Sequence, residues 1–158
     1  MKNNLYVIIK IVLICALLFL IVPHFLRPKD SSVPFEQVVR QTVQDMNMDL
    51  YPQRNNQEIK RYLNLDPTQY ENIAFYRTTD ALNASELLIV RFKEDDQAQA
   101  FEETIKKRMA SQEKIYSGYA PEQEKLVKEG VVRVEANYAI YAVGSEHAQL
   151  LSQFEESL

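Results

Sequence analysis

Four side chains near the middle of the chain have the types and spacing to do chemistry. Arg108, Gln112, Tyr116 and Tyr119 follow one another at steps of four, four and three, so a helix would bring a guanidinium, an amide and two phenols to one side. Such a set suits a carboxylate or peptide ligand. The inward stripe of the same helix reads Ala98, Phe101, Ile105, Arg108, Gln112, Ile115, Tyr119, with the polar pair at its centre. A guanidinium so placed must be paired or must reach solvent, because an unpaired buried charge is very costly. Two readings follow. Arg108 and Gln112 pin the helix to the Gly118-to-Pro121 turn or to a carboxylate at the end of a strand, or Arg108, Gln112, Tyr116 and Tyr119 line a polar ligand surface.

Other chemistry has little to rest on. The chain has two histidines: His24 ends the apolar N-terminal stretch, and His147 falls in the first turn of the last helix after a Ser145 cap. Its one cysteine, Cys15, is inside that stretch, so a triad or metal site would depend on His147 alone, and no cofactor is expected. Gly118, Gly130 and Gly144 each fall at an element boundary, and none builds a phosphate-binding loop. Among the acids, Glu94-Asp95-Asp96 suits a helix N-terminus. Glu102-Glu103 and Glu122-Glu124 suit solvated helix faces, Lys106 and Lys107 lying four residues after the first pair. Nothing in their spacing selects a carboxylate-based hydrolase, whose two acids need not be close in sequence.

These residues must be positioned by a mixed set of elements. Apolar residues at steps of three and four predict a helix from Pro34 to about Met48 and a second from Asn56 to Leu63, with Asp66-Pro67 opening one more turn. Ile73–Thr78 and Glu86–Phe92 read as strands, the second apolar on both faces and therefore central. Asp95 or Asp96 caps a long helix to Tyr116, Pro121–Glu129 is a shorter one, and Val131–Glu135 with Tyr138–Val143 form a hairpin around Ala136-Asn137. There Asn137 would take the positive φ. A last helix carries Leu150, Leu151 and Phe154 inward. The fold expected is α+β: an N-terminal transmembrane helix, then a four-stranded, mostly antiparallel sheet with its helices mainly on one face.

Residues 1–26 form the expected anchor, 27–34 a linker and 35–158 a single domain. Leu5 to Leu26 is almost wholly apolar, and twenty-two helical residues span about 33 Å against a hydrocarbon core of about 30 Å. The segment Pro23-His24-Phe25-Leu26-Arg27-Pro28 offers no small-residue cleavage site, and Leu13-Ile14 before Cys15 makes no lipobox, so the helix stays as a tether in the bilayer. Lys2 and Lys10 nearly balance Arg27 and Lys29, but the short N-terminal tail favours an extracytoplasmic domain. All 22 acidic residues and 14 of the 18 lysines and arginines lie outside the anchor and its collar, a balance of −8. That excludes nucleic acid as an expected partner and leaves proteins, peptides or small molecules.

The run Arg108-xxx-Gln112-xxx-Tyr116-xx-Tyr119-Ala120-Pro121-Glu122-Gln123, then Leu126, Val131-Val132 and Asn137-Tyr138, resembles a bacterial family known as domain of unknown function 4358. Ser85-Glu86-Leu87-Leu88-Ile89-Val90-Arg91-Phe92-Lys93 is similar to that family's acidic-then-apolar strand, so the resemblance runs from about Phe75 to Val143. It implies a small extracytoplasmic protein of a Gram-positive cell and no activity, ligand or catalytic residue. The expectation is a non-catalytic binding or interaction module of the cell envelope, meeting an envelope protein or a peptide. The alternatives are a carboxylate-based envelope hydrolase and a cytoplasmic accessory subunit of a membrane complex.

Overall fold

The computed structural model describes residues 10–19 and 30–158. Residues 10–19 belong to a helix, α1; the rest of the expected anchor lies outside the described residues. Among the described residues no helix is long and apolar enough to cross a membrane. Helices α2 (Phe35–Thr42), α3 (Asn56–Leu63), α4 (Gln97–Tyr116), α5 (Pro121–Glu129) and α6 (His147–Ser157) alternate with strands β1 (Gln53–Arg54), β2 (Asn72–Arg77), β3 (Glu86–Arg91), β4 (Val131–Glu135) and β5 (Tyr138–Val143).

The sheet has five strands in the order β1-β2-β3-β5-β4, and every neighbouring pair is antiparallel. The fifth strand, β1, was not expected. Two residues behind Pro52 carry no alternation to read; only their pairing with Phe75 and Tyr76 makes them a strand. A larger correction concerns the helices, which cover both faces and not mainly one. On one face α3, α4 and α5 pack on Phe75, Leu88, Val90, Ala139 and Tyr141. On the other, α2 and α6 pack on Ala74, Tyr76, Leu87, Ile89, Tyr138 and Ile140. The reason is already present in β3 and β5. Strands with an unbroken apolar run, Leu87–Val90 in β3 and all of β5, need two apolar layers, since alternate side chains point to opposite sides.

Local chemistry sets most boundaries. Helix α3 starts on a capping box: the Asn55 side chain accepts from the Gln57 and Glu58 N–H groups while Glu58 accepts from the Asn55 N–H. Helix α2 ends at Thr42, short of the expected Met48. There the Thr42 hydroxyl bonds back to the Val38 carbonyl, and the Asn47 side chain accepts from the Asp49 N–H, which competes with helical pairing. Of the residues expected as caps, Asp96 stands at the N-cap of α4 without a side-chain cap bond, and Ser145 lies one residue outside the cap position of α6, which Glu146 takes. At α4 the Gln97 amide oxygen accepts from Lys93 and Glu94 instead. In the β4–β5 turn it is Ala136, at φ 53°, that takes the left-handed conformation, and not Asn137.

Asn137 is occupied elsewhere. Its amide accepts from the Ser31 N–H at 3.0 Å and donates to the Ser31 carbonyl at 3.3 Å. The Ser31 hydroxyl donates to the Leu158 carbonyl, and the Tyr138 hydroxyl donates to the Val33 carbonyl. Residues 30–34, the described part of the expected linker, are thus tied to a turn more than a hundred residues away.

Candidate functional site

A buried polar cluster forms where β2, β3 and β5 meet α3 and α4. Glu86 is the first residue of β3, and its side chain is 1% exposed. Antiparallel pairing sets Arg77 opposite it on β2 and Val143 opposite it on β5, with Tyr141 on the diagonal. Arg108 enters from α4 and grips the carboxylate with two prongs, Nε to Oε1 and Nη2 to Oε2, both at 2.6 Å. Its remaining nitrogen, Nη1, donates to the Tyr62 carbonyl at the end of α3. The Tyr141 hydroxyl donates to Glu86 Oε1 at 2.6 Å. Arg77 stands 3.6 Å from Oε2 with its guanidinium over the Tyr62 ring, 4.8 Å from the centroid. Arg54 of β1 closes the edge, donating to the Arg77 and Thr78 carbonyls and pairing with Glu58.

Two guanidinium groups around one carboxylate leave this cluster with one excess positive charge. Burial opposes the charge on Arg108, but the hydrogen bond and attraction from Glu86 outweigh it, and its pKa rises. The Tyr141 phenol is pushed well above its usual value near 10, first by burial and then by the Glu86 charge, with Arg108 pulling the other way. Burial also raises Tyr116, over the opposing pull of Arg77. The Arg108 guanidinium thus keeps its charge and the Tyr141 phenol its proton, and the cluster is suited to fastening α4 and α3 to the sheet.

The four residues singled out by spacing divide at this point. Arg108 and Tyr116 face inward, Tyr116 only 2% exposed, whereas Gln112 is half-buried and Tyr119 is 59% exposed. The Tyr116 and Tyr119 rings stay in contact, centroids 5.9 Å apart. The inward stripe of α4 ends on Tyr116 and not on Ile115, which is 52% exposed; Tyr116 follows the buried Ile105 by eleven residues, close to three full turns, and Ile115 falls short of that phase. The reading of Arg108 as pinned by a strand-end carboxylate fits the geometry. Sequence reasoning did not name the acid. Its one signal is Glu86 itself, an acid heading a strand otherwise apolar on both faces.

His147 uses its ring nitrogen Nδ1 on the Gly144 carbonyl at 2.8 Å, an interaction within its own turn. Among the described residues no group of three or more His, Cys, Asp or Glu is placed to hold a metal ion. The carboxylates of the helix faces pair locally, Glu102 with Lys106 and Glu124 with Lys128, each at 2.6 Å. The larger open grooves lie away from the Arg108 cluster. One of about 730 Å³ lies between Ser31, Ala136 and Leu158, one of about 460 Å³ runs between the start of α4 and the β4–β5 turn, and one of about 470 Å³ lies beside α2 along β2.

A family model described as a domain of unknown function (DUF4358) matches residues 44–144. The match takes in all five strands with α3, α4 and α5, and so contains the whole Glu86 cluster; α2 and α6 fall outside it. Neither a curated protein nor a solved structure matches the chain.

Proposed function

The chain belongs to the DUF4358 family of domains of unknown function, and from there we propose a non-catalytic binding or interaction module, tethered to the cell membrane by α1 and exposed on the extracytoplasmic side. One observation carries the tether. Ile11, Val12, Leu13, Ile14, Leu17, Leu18 and Phe19 are each more than half exposed, while the apolar residues of the domain close into two layers that include none of them. Seven large apolar side chains in water on one short helix are a strongly unfavourable surface, and a bilayer relieves it. The sequence around them, apolar from Leu5 to Leu26, has the length that a span needs.

The binding role rests on how the polar groups are used. Glu86, the buried carboxylate, is taken up by Arg108, Tyr141 and Arg77, which makes it an anchor and not a general acid. What remains open to a partner at this end of α4 is the outer side of that anchor, with Gln112 and Ile115 on the helix and Tyr119 in the turn that follows it. An exposed tyrosine beside an aliphatic side chain is the kind of contact that protein interfaces bury. The partner class is an envelope protein or peptide.

Extraction in mild detergent after crosslinking, followed by copurification, tests the binding role: a reproducible partner is expected, and recovery of the chain alone at high yield overturns it. Protease treatment of intact protoplasts tests the placement. The domain should be cut from outside, and a protected domain would reverse the orientation.

A further inference from the structure

We infer that the domain stands on the bilayer in one orientation, with the β4–β5 turn and the start of α4 facing the lipid headgroups and the opposite end of the sheet presented outward. This rests on the membrane-tether reading above and adds to it which surface faces the membrane.

The first support is that no free joint separates residue 31 from the domain. The Asn137 amide brackets the Ser31 peptide from both sides, the Ser31 hydroxyl holds the Leu158 carbonyl, and Tyr138 holds Val33. The four bonds come from a turn, a strand and the C-terminus, so the segment cannot swing on any one of them. The second is reach. A span ending at Leu26 leaves five residues to Ser31, and at 3.3–3.6 Å per residue these extend at most about 18 Å. The face that holds Ser31 must then lie within that distance of the bilayer surface.

The sheet register says which residues share that face. Asn72 pairs with Arg91, and Arg91 with Tyr138, so these mark one end of the strands. Arg77, Glu86 and Val143 mark the other, roughly 20 Å away for six residues of strand. Helix α4 starts at the first end and reaches Tyr116 about 30 Å later, at the second. The exposed apolar residues Leu82 and Tyr119 belong to the second end, where the Gln123 amide ties the β2–β3 loop to the start of α5. The surface proposed for a partner is therefore the membrane-distal one. The occupant of the first end is the headgroup layer of the bilayer that holds α1. Glu71, Glu94, Asp96 and Glu135 outnumber Arg91 and Lys93 there and give no net attraction to anionic lipid, so orientation comes from the clamp on Ser31 and not from the charge of this face.

Fluorescence quenching on the full chain tests this. In a Cys15→Ser background, single cysteines made by Glu94→Cys or Leu82→Cys carry a nitrobenzoxadiazole label. The chain is reconstituted into phosphatidylcholine vesicles holding a nitroxide on the lipid headgroup. The expected result is quenching at position 94 at least threefold stronger than at position 82, and a difference that shrinks with Asn137→Ala. Equal quenching in vesicles that float with the chain overturns the orientation and leaves the tether standing. A folded Asn137→Ala chain that keeps the full difference overturns the clamp as its cause. Failure of the chain to float overturns both the tether and the orientation.

Discussion

Arg108 and Glu86 are twenty-two residues apart in the chain and share two 2.6 Å contacts in the folded domain, one from each side of the guanidinium fork. That pair joins the long helix to the end of a central strand. It also uses both oxygens of the carboxylate, so neither residue is available to a substrate. Replacing Arg108 by Ala leaves Glu86 buried with only Arg77 at 3.6 Å and Tyr141. The expected cost is about 3 kcal/mol, a fall of roughly 10 °C in Tm by calorimetry. An unchanged Tm would remove the anchoring role. Replacing Arg108 and Glu86 together by Met and Leu should cost much less, since no orphan charge remains.

Stability should fall in alkali. Tyr141, Tyr70, Tyr76, Tyr116 and Tyr138 all have pKa values raised by burial. For each, the unfolded chain loses its proton near pH 10 while the folded chain keeps it, so the folded state binds more protons above that pH. The contribution is full below about pH 10 and is lost as pH rises through the folded values. Tyrosinate absorbance at 295 nm should rise in two steps, the second coinciding with loss of ellipticity. A single step near pH 10 in a chain that stays folded would contradict it.

The capping box of α3 gives a sharper local prediction. Asn55→Ala removes the acceptor for two N–H groups and should cost about 1 kcal/mol, or roughly 4 °C. Glu58→Gln, which can still reach the Asn55 N–H, should cost less.

Two glycines should respond to alanine for different reasons. At Gly130 the backbone is ordinary, φ −58°, but an added Cβ would lie 2.7 Å from a Val143 methyl and 3.2 Å from the Ala142 carbonyl. Crowding of that order costs about 1–3 kcal/mol. At Gly118 nothing lies within 4 Å, yet φ is +90°, and the cost, about 1 kcal/mol, comes from the backbone alone. Gly118→Asn should recover part of it, while Gly130→Asn should be worse than Gly130→Ala. Urea denaturation distinguishes the two patterns.

Tyr119→Ala separates binding from folding. The ring is 59% exposed, so the substitution should change stability by less than about 0.5 kcal/mol while weakening capture of a crosslinked partner. Gln112→Ala should weaken capture likewise. Capture by both variants undiminished from that of the unsubstituted chain would move the partner surface away from this end of α4.

Much of this fold can be read along the chain. The bounds expected for α3, α5, β4 and β5 agree with those observed, because each is set by a nearby stop: Asn55 and Asn64 around α3, Pro121 and Gly130 around α5, the Ala136 turn between the strands. Less of the site was legible. Arg108 was conspicuous as a cation on an apolar stripe, but Glu86, Arg77, Tyr62 and Tyr141 come from four other elements, and no spacing rule links them.

Sequence alone was enough to determine the kind and order of the elements from α2 onward apart from β1, the central position of β3 and the family, since periodicity, capping and turn chemistry act over a few residues. The tertiary structure alone decided what those elements lean on: helices on both faces, β1 at the edge, Glu86 beneath Arg108, and Asn137 holding Ser31 across 106 positions. Each depends on strand register and packing between segments far apart in the chain. A side chain's type shows that it needs a partner, and only the folded chain chooses which one.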